Sequence, residues 1–354
     1  MFVVNRNKEA ERKIKNIWQE YLENKTENDY TTLYIHVPFC IQKCNYCEYC
    51  SKITHNGIDD SKIDYLEEQF LNALKVFKDE PIKAINFGGG TPNILSPKQL
   101  ERILNMIKKH WNLKIDKDNE MGFEFHPALF SKEHLDVLQN SYINRLSMGI
   151  QTFDKNVLKA ENRLYVSEEQ LKNIYNSVKN FSKIVNVDLL AGLIGQTSSM
   201  LSNDVKALLD IGVESLTIYE LNRVHNRRNI ESKRANIIKM LVYMYEENKN
   251  NSYRYVGTTN ENNFIHCNRF YKNKINTFKF FYNPAPQNYN NVIAFSLDDN
   301  IGVYPYSHFI SINKAYQRLN KYSTSFYNLC DRFDRPIWVN SFKERTMNDL
   351  YRKK

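Results

Sequence analysis

Apolar residues along this chain recur in two alternating spacings. Short, almost continuously apolar runs are each followed by a longer stretch whose apolar positions fall three to four residues apart. The short runs are Leu33–Val37, Ala84–Phe87, Gly122–Phe125, Arg145–Ile150, Val185–Leu190 and Ser215–Leu221. Each is predicted to be a strand. The longer stretches run near Ser61–Phe77, Pro97–Trp111, Lys132–Leu138, Glu168–Phe181 and Met200–Leu209, and Ser232–Glu247 follows the last strand. These are predicted helices. Ser96-Pro97 with Glu101 downstream marks a helix start. Six alternating strand–helix units predict an α/β fold with a parallel sheet and right-handed crossovers. Six units suit an open partial (β/α)6 barrel better than a closed eightfold one.

The two ends follow other patterns. Lys8–Glu23 places Ala10, Ile14, Ile17, Trp18 and Tyr21 on one face of an amphipathic helix. Past about residue 250 the predicted strands are short and aromatic: Arg254–Val256, Phe278–Tyr282, Asn291–Phe295 and Ile301–Tyr306. Pro284, Pro286 and Pro305 punctuate them. The expected division is a helical extension over 1–30, the partial barrel over 31–250, and a smaller α+β segment over 251–354 that covers the barrel mouth and the substrate.

Composition narrows the class. A chain of 354 residues, 42% hydrophobic and 25% charged, reads as soluble and globular. No apolar run approaches a membrane span. The N-terminus runs directly into Arg6, Lys8, Glu9 and Glu11, unlike a signal peptide. The net charge of +9 is spread along the chain, which indicates an ordinary solvated surface and argues against a nucleic-acid partner. A basic cleft would attract carboxylate-bearing small molecules.

The chemistry concentrates at Cys40-Ile-Gln-Lys-Cys44-Asn-Tyr-Cys47, directly after an apolar run. A disulfide framework suits small secreted chains dense in cysteine, and this chain has six cysteines in 354 residues. A zinc ribbon needs a second close pair, whereas Cys267 and Cys330 stand alone. Three thiolates can instead hold three irons of a [4Fe–4S] cube and leave the fourth open to S-adenosylmethionine. Such a cluster and reduced cysteines both suit the cytoplasm. Cys50 is a fourth nearby thiol: a spare ligand, a proton or hydrogen-atom donor as a weak catalytic candidate, or a bystander.

Polar residues then recur at successive strand ends. Gly88, Gly89 and Gly90 with Thr91-Pro92 close the second strand, where absent Cβ atoms would let backbone approach a ligand. Glu124 lies between Phe123 and Phe125, and a buried carboxylate there needs a ligand ammonium, a ribose hydroxyl, or an arginine such as Arg145 or Arg163. Gln151 ends the fourth strand and Asp188 lies in the fifth.

Together these stretches resemble the radical S-adenosylmethionine superfamily, and within it the oxygen-independent coproporphyrinogen III oxidase-like family. The resemblance rests on Tyr34-Ile-His-Val-Pro-Phe-Cys40 through Cys47, Phe87–Pro92, Asn144–Phe153 and Asn186–Thr197. It implies that Cys40, Cys44 and Cys47 ligate the cluster. Tyr46 would pack on adenine, and Gly88, Gly89, Gly90 and Thr91 would line the methionine amino group. Tyr34, Glu124, Gln151, Arg163 and Asp188 match cofactor-contacting positions. It further implies reductive cleavage to a 5′-deoxyadenosyl radical, one or two S-adenosylmethionine molecules, a small-molecule substrate, and a reductant such as flavodoxin or ferredoxin.

The chain also departs from the family. The fourth cysteine is displaced, with Tyr49 at its position and Cys50 after it; His126 and Ile194 replace the usual residues; and Asn290–Ser296 lacks the family's glycines. The expected function is therefore radical modification of a tetrapyrrole or secondary metabolite, with methyl transfer among the outcomes. The alternative is a heme chaperone of the same family, for which His266, Cys267 and His308 are candidate heme ligands.

Overall fold

Every residue of β1 (Thr31–Val37) is buried, as a strand must be when neighbours flank both edges and layers cover both faces. The computed structural model describes residues 19, 22–23, 31–47, 51–116, 119–221, 253–258, 267–272, 291–298, 309–310, 327–328 and 338–339. They fall into two compact units. One draws on residues 1–41, 49–123 and 278–354, the other on 42–48 and 124–277. The fold is parallel α/β, as the alternating pattern predicts.

In the first unit β1 pairs in parallel with β4 (Ile82–Gly89), and β4 with β5 (Glu120–Phe125) through Phe123. On its other edge β1 pairs in parallel with β11 (Asn291–Ser296), from Thr31 opposite Asn291 to His36 opposite Ser296. The sequence places this strand in a covering segment, but it lies beside the strand that precedes the cysteines. The reason is burial. Phe295 sits 4.7 Å from Phe70 and 5.7 Å from Trp111, both edge-on. Such aromatic pairs add about 0.5–1.5 kcal/mol each beyond their buried area. Gln69 also donates its amide to the Ser296 carbonyl at 2.9 Å. Beyond β11 lie three two-residue strands, β12 (Phe309–Ile310), β14 (Trp338–Val339) and β13 (Tyr327–Asn328).

Two helices of this unit follow the predicted faces. α1 (Ser61–Phe77) buries Ile63, Leu66, Phe70, Ala73 and Phe77. α2 (Pro97–His110) starts at an N-cap Ser96 whose hydroxyl accepts from Gln99 N–H while Gln99 reaches back, so the capping partner is Gln99 and not Glu101. That cap contributes about 1 kcal/mol.

The second unit contains parallel β6 (Arg145–Gln151), β7 (Ile184–Ala191) and β8 (Ser215–Glu220), then antiparallel β10 (Cys267–Lys272) and β9 (Tyr253–Thr258). Its helices are α3 (Lys132–Gln139), α4 (Lys155–Ala160), α5 (Glu168–Val178) and α6 (Ser198–Ile211). The short α4 has no counterpart among the predicted helices. The Asp154 carboxylate starts it by accepting from Asn156 and Val157. The strand Arg254–Val256 lies within β9. Nearly all of Lys8–Glu23, and the segments Ser232–Glu247, Phe278–Tyr282 and Ile301–Tyr306, lie outside the described residues. Among the described residues no helix is long and apolar enough to cross a membrane.

One buried acid makes the second unit sensitive to pH. Asp204 of α6 is 4% exposed; its Oδ1 accepts from Phe153 N–H at 2.8 Å, and its Oδ2 meets no donor among the described residues. Burial pushes its pKa up from 3.8 to about 6, against the opposing hydrogen bonds from Thr152 and Phe153. A raised folded-state pKa means the folded state binds the proton more tightly. The contribution to stability is full below pH 4 and is lost as pH rises through 6, a change on the order of 3 kcal/mol. Between pH 4 and 7 the melting temperature of wild type should therefore fall relative to that of Asp204→Asn. Parallel profiles for the two proteins would show that Asp204 is not the titrating group.

Candidate functional site

The cysteine loop is divided between the units: Cys40 belongs to the first, Cys44 and Cys47 to the second. All three lie outside any disulfide and are half-buried. Cys40 ends β2 (Phe39–Cys40), which pairs in parallel with β3 (Lys52–Ile53). Lys52 N–H donates to the Pro38 carbonyl at 2.8 Å, and Thr54 N–H to the Cys40 carbonyl at 2.9 Å. The glycine turn after β4 supplies further donors. Gly90 N–H reaches the Val37 carbonyl at 2.9 Å, Thr91 N–H the Phe39 carbonyl at 2.8 Å, and Thr91 Oγ1 the Cys40 sulfur at 3.5 Å. The β2–β3 pair is further tied down at Asp298, a buried carboxylate that accepts from Lys52 Nζ at 2.7 Å and Lys62 Nζ at 3.4 Å.

The glycines serve this contact first. A Cβ on Gly90 would lie 2.5 Å from the Phe39 carbonyl oxygen, and one on Gly89, at φ +111°, 2.5 Å from Nδ1 of His36. The space that the sequence suggests is open for a ligand is, at these two Cβ positions, filled by the chain itself. Gly88 lies opposite His36 in the β1–β4 register.

His36 is a residue that sequence reasoning passed over. It is 2% exposed; the Tyr34 hydroxyl is 3.3 Å from its Nδ1, and its Nε2 has no hydrogen-bond partner among the described residues. Burial pulls its pKa down to about 3, so the ring is neutral. The available signal was its spacing from Tyr34: alternate residues of a strand share a face.

The second half of the loop is held by the residues that follow α4. Arg163 donates to the Cys44 sulfur at 3.7 Å, to the Tyr46 hydroxyl at 3.0 Å and to the Gly149 carbonyl. Burial raises the Tyr46 hydroxyl pKa, and the Arg163 guanidinium partly offsets that rise. The Tyr46 ring packs against the buried cluster of Val157, Leu190 and Leu193, as Met200 does, which makes an apolar patch. Burial, reinforced by Arg163, holds His126 well below the usual imidazole range.

The strand-end polar residues are prepared to different degrees. Gln151 takes φ +72°, rare for a residue with a side chain. Its Oε1 is buried without a partner among the described residues. Asp188 accepts from Ser147 Oγ at 2.9 Å and Asn186 Nδ2 at 2.7 Å. Asn186 is itself fixed, since its Oδ1 accepts from Ser215 and Thr217, both at 2.9 Å. Glu124 is half-buried on β5. Cys50, His266 and His308 lie outside the described residues, and Cys267 begins β10. Among the described residues no three His, Cys, Asp or Glu side chains form a ready metal-holding group.

The residues nevertheless suit a thiolate-ligated cluster. The three cysteine sulfurs are soft ligands outside any disulfide, Cys40 and Cys44 each receive a side-chain donor at sulfur, and the buried Gln151 Oε1 has no partner among the described residues. Residues 34–208 match the family model described as Radical SAM superfamily. The chain carries a radical SAM domain.

A [4Fe–4S] cluster and S-adenosylmethionine are the cofactors that a radical SAM domain implies. The chain is 32% identical over 212 residues to a protein named heme chaperone HemW from Buchnera aphidicola, covering 58% of this chain and 56% of that protein. It is 29% identical over 241 residues to the oxygen-independent coproporphyrinogen III oxidase of Pseudomonas aeruginosa, covering 64% and 51%. The solved structure of coproporphyrinogen III oxidase HemN from Escherichia coli aligns with a TM-score of 0.63 at 21% identity, over 73% of this chain and 58% of that one. It supports the shared fold. The chain spans about half the length of the curated relatives it matches.

Proposed function

We propose that this protein is a radical enzyme acting on a small conjugated or carboxylate-bearing molecule, a tetrapyrrole or a secondary metabolite. Cys40, Cys44 and Cys47 would hold the cluster. Gly88 to Thr91, Glu124, Gln151, Arg163 and Asp188 would hold the amino-acid and ribose parts of S-adenosylmethionine, with Tyr34 beside them. Tyr46 and its apolar neighbours would receive the adenine. When bound, the two cofactors supply a reductively generated 5′-deoxyadenosyl radical. The chain's part is to fix the donors and acceptors in place and to exclude water. Asp188 is oriented by Ser147 and Asn186 for contact with ligand hydroxyls. Gln151 offers its unpartnered oxygen to an ammonium.

One observation carries the reading. Thr91 aims a donor at the Cys40 sulfur, and Arg163 aims one at the Cys44 sulfur. Donors to cluster sulfurs tune a redox centre. A second reading, heme chaperoning, is favoured by the 32% identity to a protein of that name.

Product analysis separates the two. Anaerobically reconstituted protein with dithionite and S-adenosylmethionine should yield 5′-deoxyadenosine, and a true substrate should accelerate it. Joint release of S-adenosylhomocysteine would indicate methyl transfer with a second cofactor molecule. Carbon dioxide loss from coproporphyrinogen III would indicate decarboxylation. Stoichiometric heme binding with no substrate-stimulated 5′-deoxyadenosine would overturn the enzyme in favour of the chaperone.

A further inference from the structure

We propose that Asn162 is a positioning residue that clamps the Gln42–Cys47 half of the cysteine loop before any cofactor is bound. The inference rests on the reading of Cys44 and Cys47 as cluster ligands. Helix α4 ends at Ala160, and Asn162 follows at φ +51°, in the left-handed region. Its N–H donates to the Lys159 carbonyl at 3.1 Å, and Arg163 N–H donates to Leu158 at 2.9 Å. This is a helix-closing turn in which glycine or asparagine serves best, because other side chains resist that backbone angle.

The closed turn presents three consecutive carbonyls, and the cysteine loop takes all of them. Asn45 Nδ2 donates to Ala160, Asn45 N–H to Glu161 and Gln42 Nε2 to Asn162, each at 2.9 Å. The last carbonyls of a helix lack partners inside the helix, so the loop supplies donors that α4 needs. Asn162 returns the contact, its Nδ2 donating to the Lys43 carbonyl at 2.8 Å. The next residue, Arg163, reaches Cys44 and Tyr46. Glu161 is fully buried and secured from below, its Oε1 accepting from Ile194 N–H at 2.8 Å. One asparagine therefore sets the backbone angle that aims the turn and also makes a bond of the clamp. The loop segment carrying Cys44 and Cys47 is held by protein alone.

The clamp predicts a local effect. Asn162 is exposed, so its amide bond competes with water and is worth about threefold in the opening equilibrium. The left-handed backbone adds a cost for alanine, bringing Asn162→Ala to about tenfold. Asn162→Gly keeps the angle and loses only the amide, so it should show about threefold.

The test is amide hydrogen exchange on the cluster-free protein. In Asn162→Ala, exchange at residues 42–47 should accelerate about tenfold while residues 31–40, held by β4 and β3, stay at the wild-type rate. Acceleration of both segments alike would mean general loosening and would overturn the clamp, as would no change in either. A glycine variant indistinguishable from wild type would overturn the part assigned to the amide. In reconstituted alanine variant the EPR signal of the reduced cluster should broaden into a mixture of environments. A signal as sharp as wild type would count against positioning. If wild type itself takes up no iron, the cluster reading fails while the exchange result still decides the clamp.

Discussion

Replacing Cys44 with alanine should abolish cluster assembly. Anaerobic reconstitution of wild type should load about four irons and four sulfides per chain, and Cys44→Ala close to none. Two remaining thiolates cannot hold three corners of the cube, and the Arg163 donor loses its sulfur. Cys40→Ala and Cys47→Ala should match it, whereas Cys50→Ala should retain iron, since Cys50 falls outside the three-and-two spacing. Iron and sulfide assay with the visible absorption of the cluster reads all four variants. Full iron in Cys44→Ala would sink the ligand assignment. Full iron there together with loss in Cys50→Ala would move the third ligand to Cys50.

The strand–helix alternation was legible because each strand is predominantly apolar, and that pattern follows from burial on both faces. The cysteine spacing was legible for a similar reason: ligand geometry constrains neighbours in sequence. What the sequence hid were contacts between distant segments. Nothing in Asn291–Ser296 says that it pairs with Thr31–His36, because any strand buried on two faces carries the same apolar run. The short α4 escaped because six residues give too little periodicity. Its importance lies in its terminal carbonyls, which no hydrophobic pattern reports. His36 escaped because it sits inside an apolar strand and its neutral, buried state is a tertiary property. At Gly89 and Gly90 the missing Cβ was legible, but what fills the space beside it could be seen only in three dimensions.

That last point gives the second large effect. Alanine at Gly90 should both destabilise the protein and displace Cys40. The added methyl would lie 2.5 Å from the Phe39 carbonyl oxygen and 2.9 Å from both Phe39 N and the Val37 carbonyl oxygen. All three are backbone atoms. Val37 is locked in the β1–β4 register, and Phe39 pairs with Lys52 across β2–β3. Neither can yield without breaking ladder bonds. Overpacking of this kind costs about 3 kcal/mol. The cheapest relief is to push Phe39-Cys40 away from the glycine turn, which breaks the Thr91 bonds to Phe39 and to the Cys40 sulfur. Melting temperature and iron content should therefore fall together. Gly57→Ala is the control. Gly57 is also a loop glycine, at φ +77°, but nothing lies within 4 Å of its missing Cβ. Its substitution should cost only the left-handed backbone, about 1 kcal/mol, and should leave iron uptake intact. A Gly90→Ala protein that melts like Gly57→Ala and loads full iron would show that the Phe39–Gly90 contact does not position Cys40.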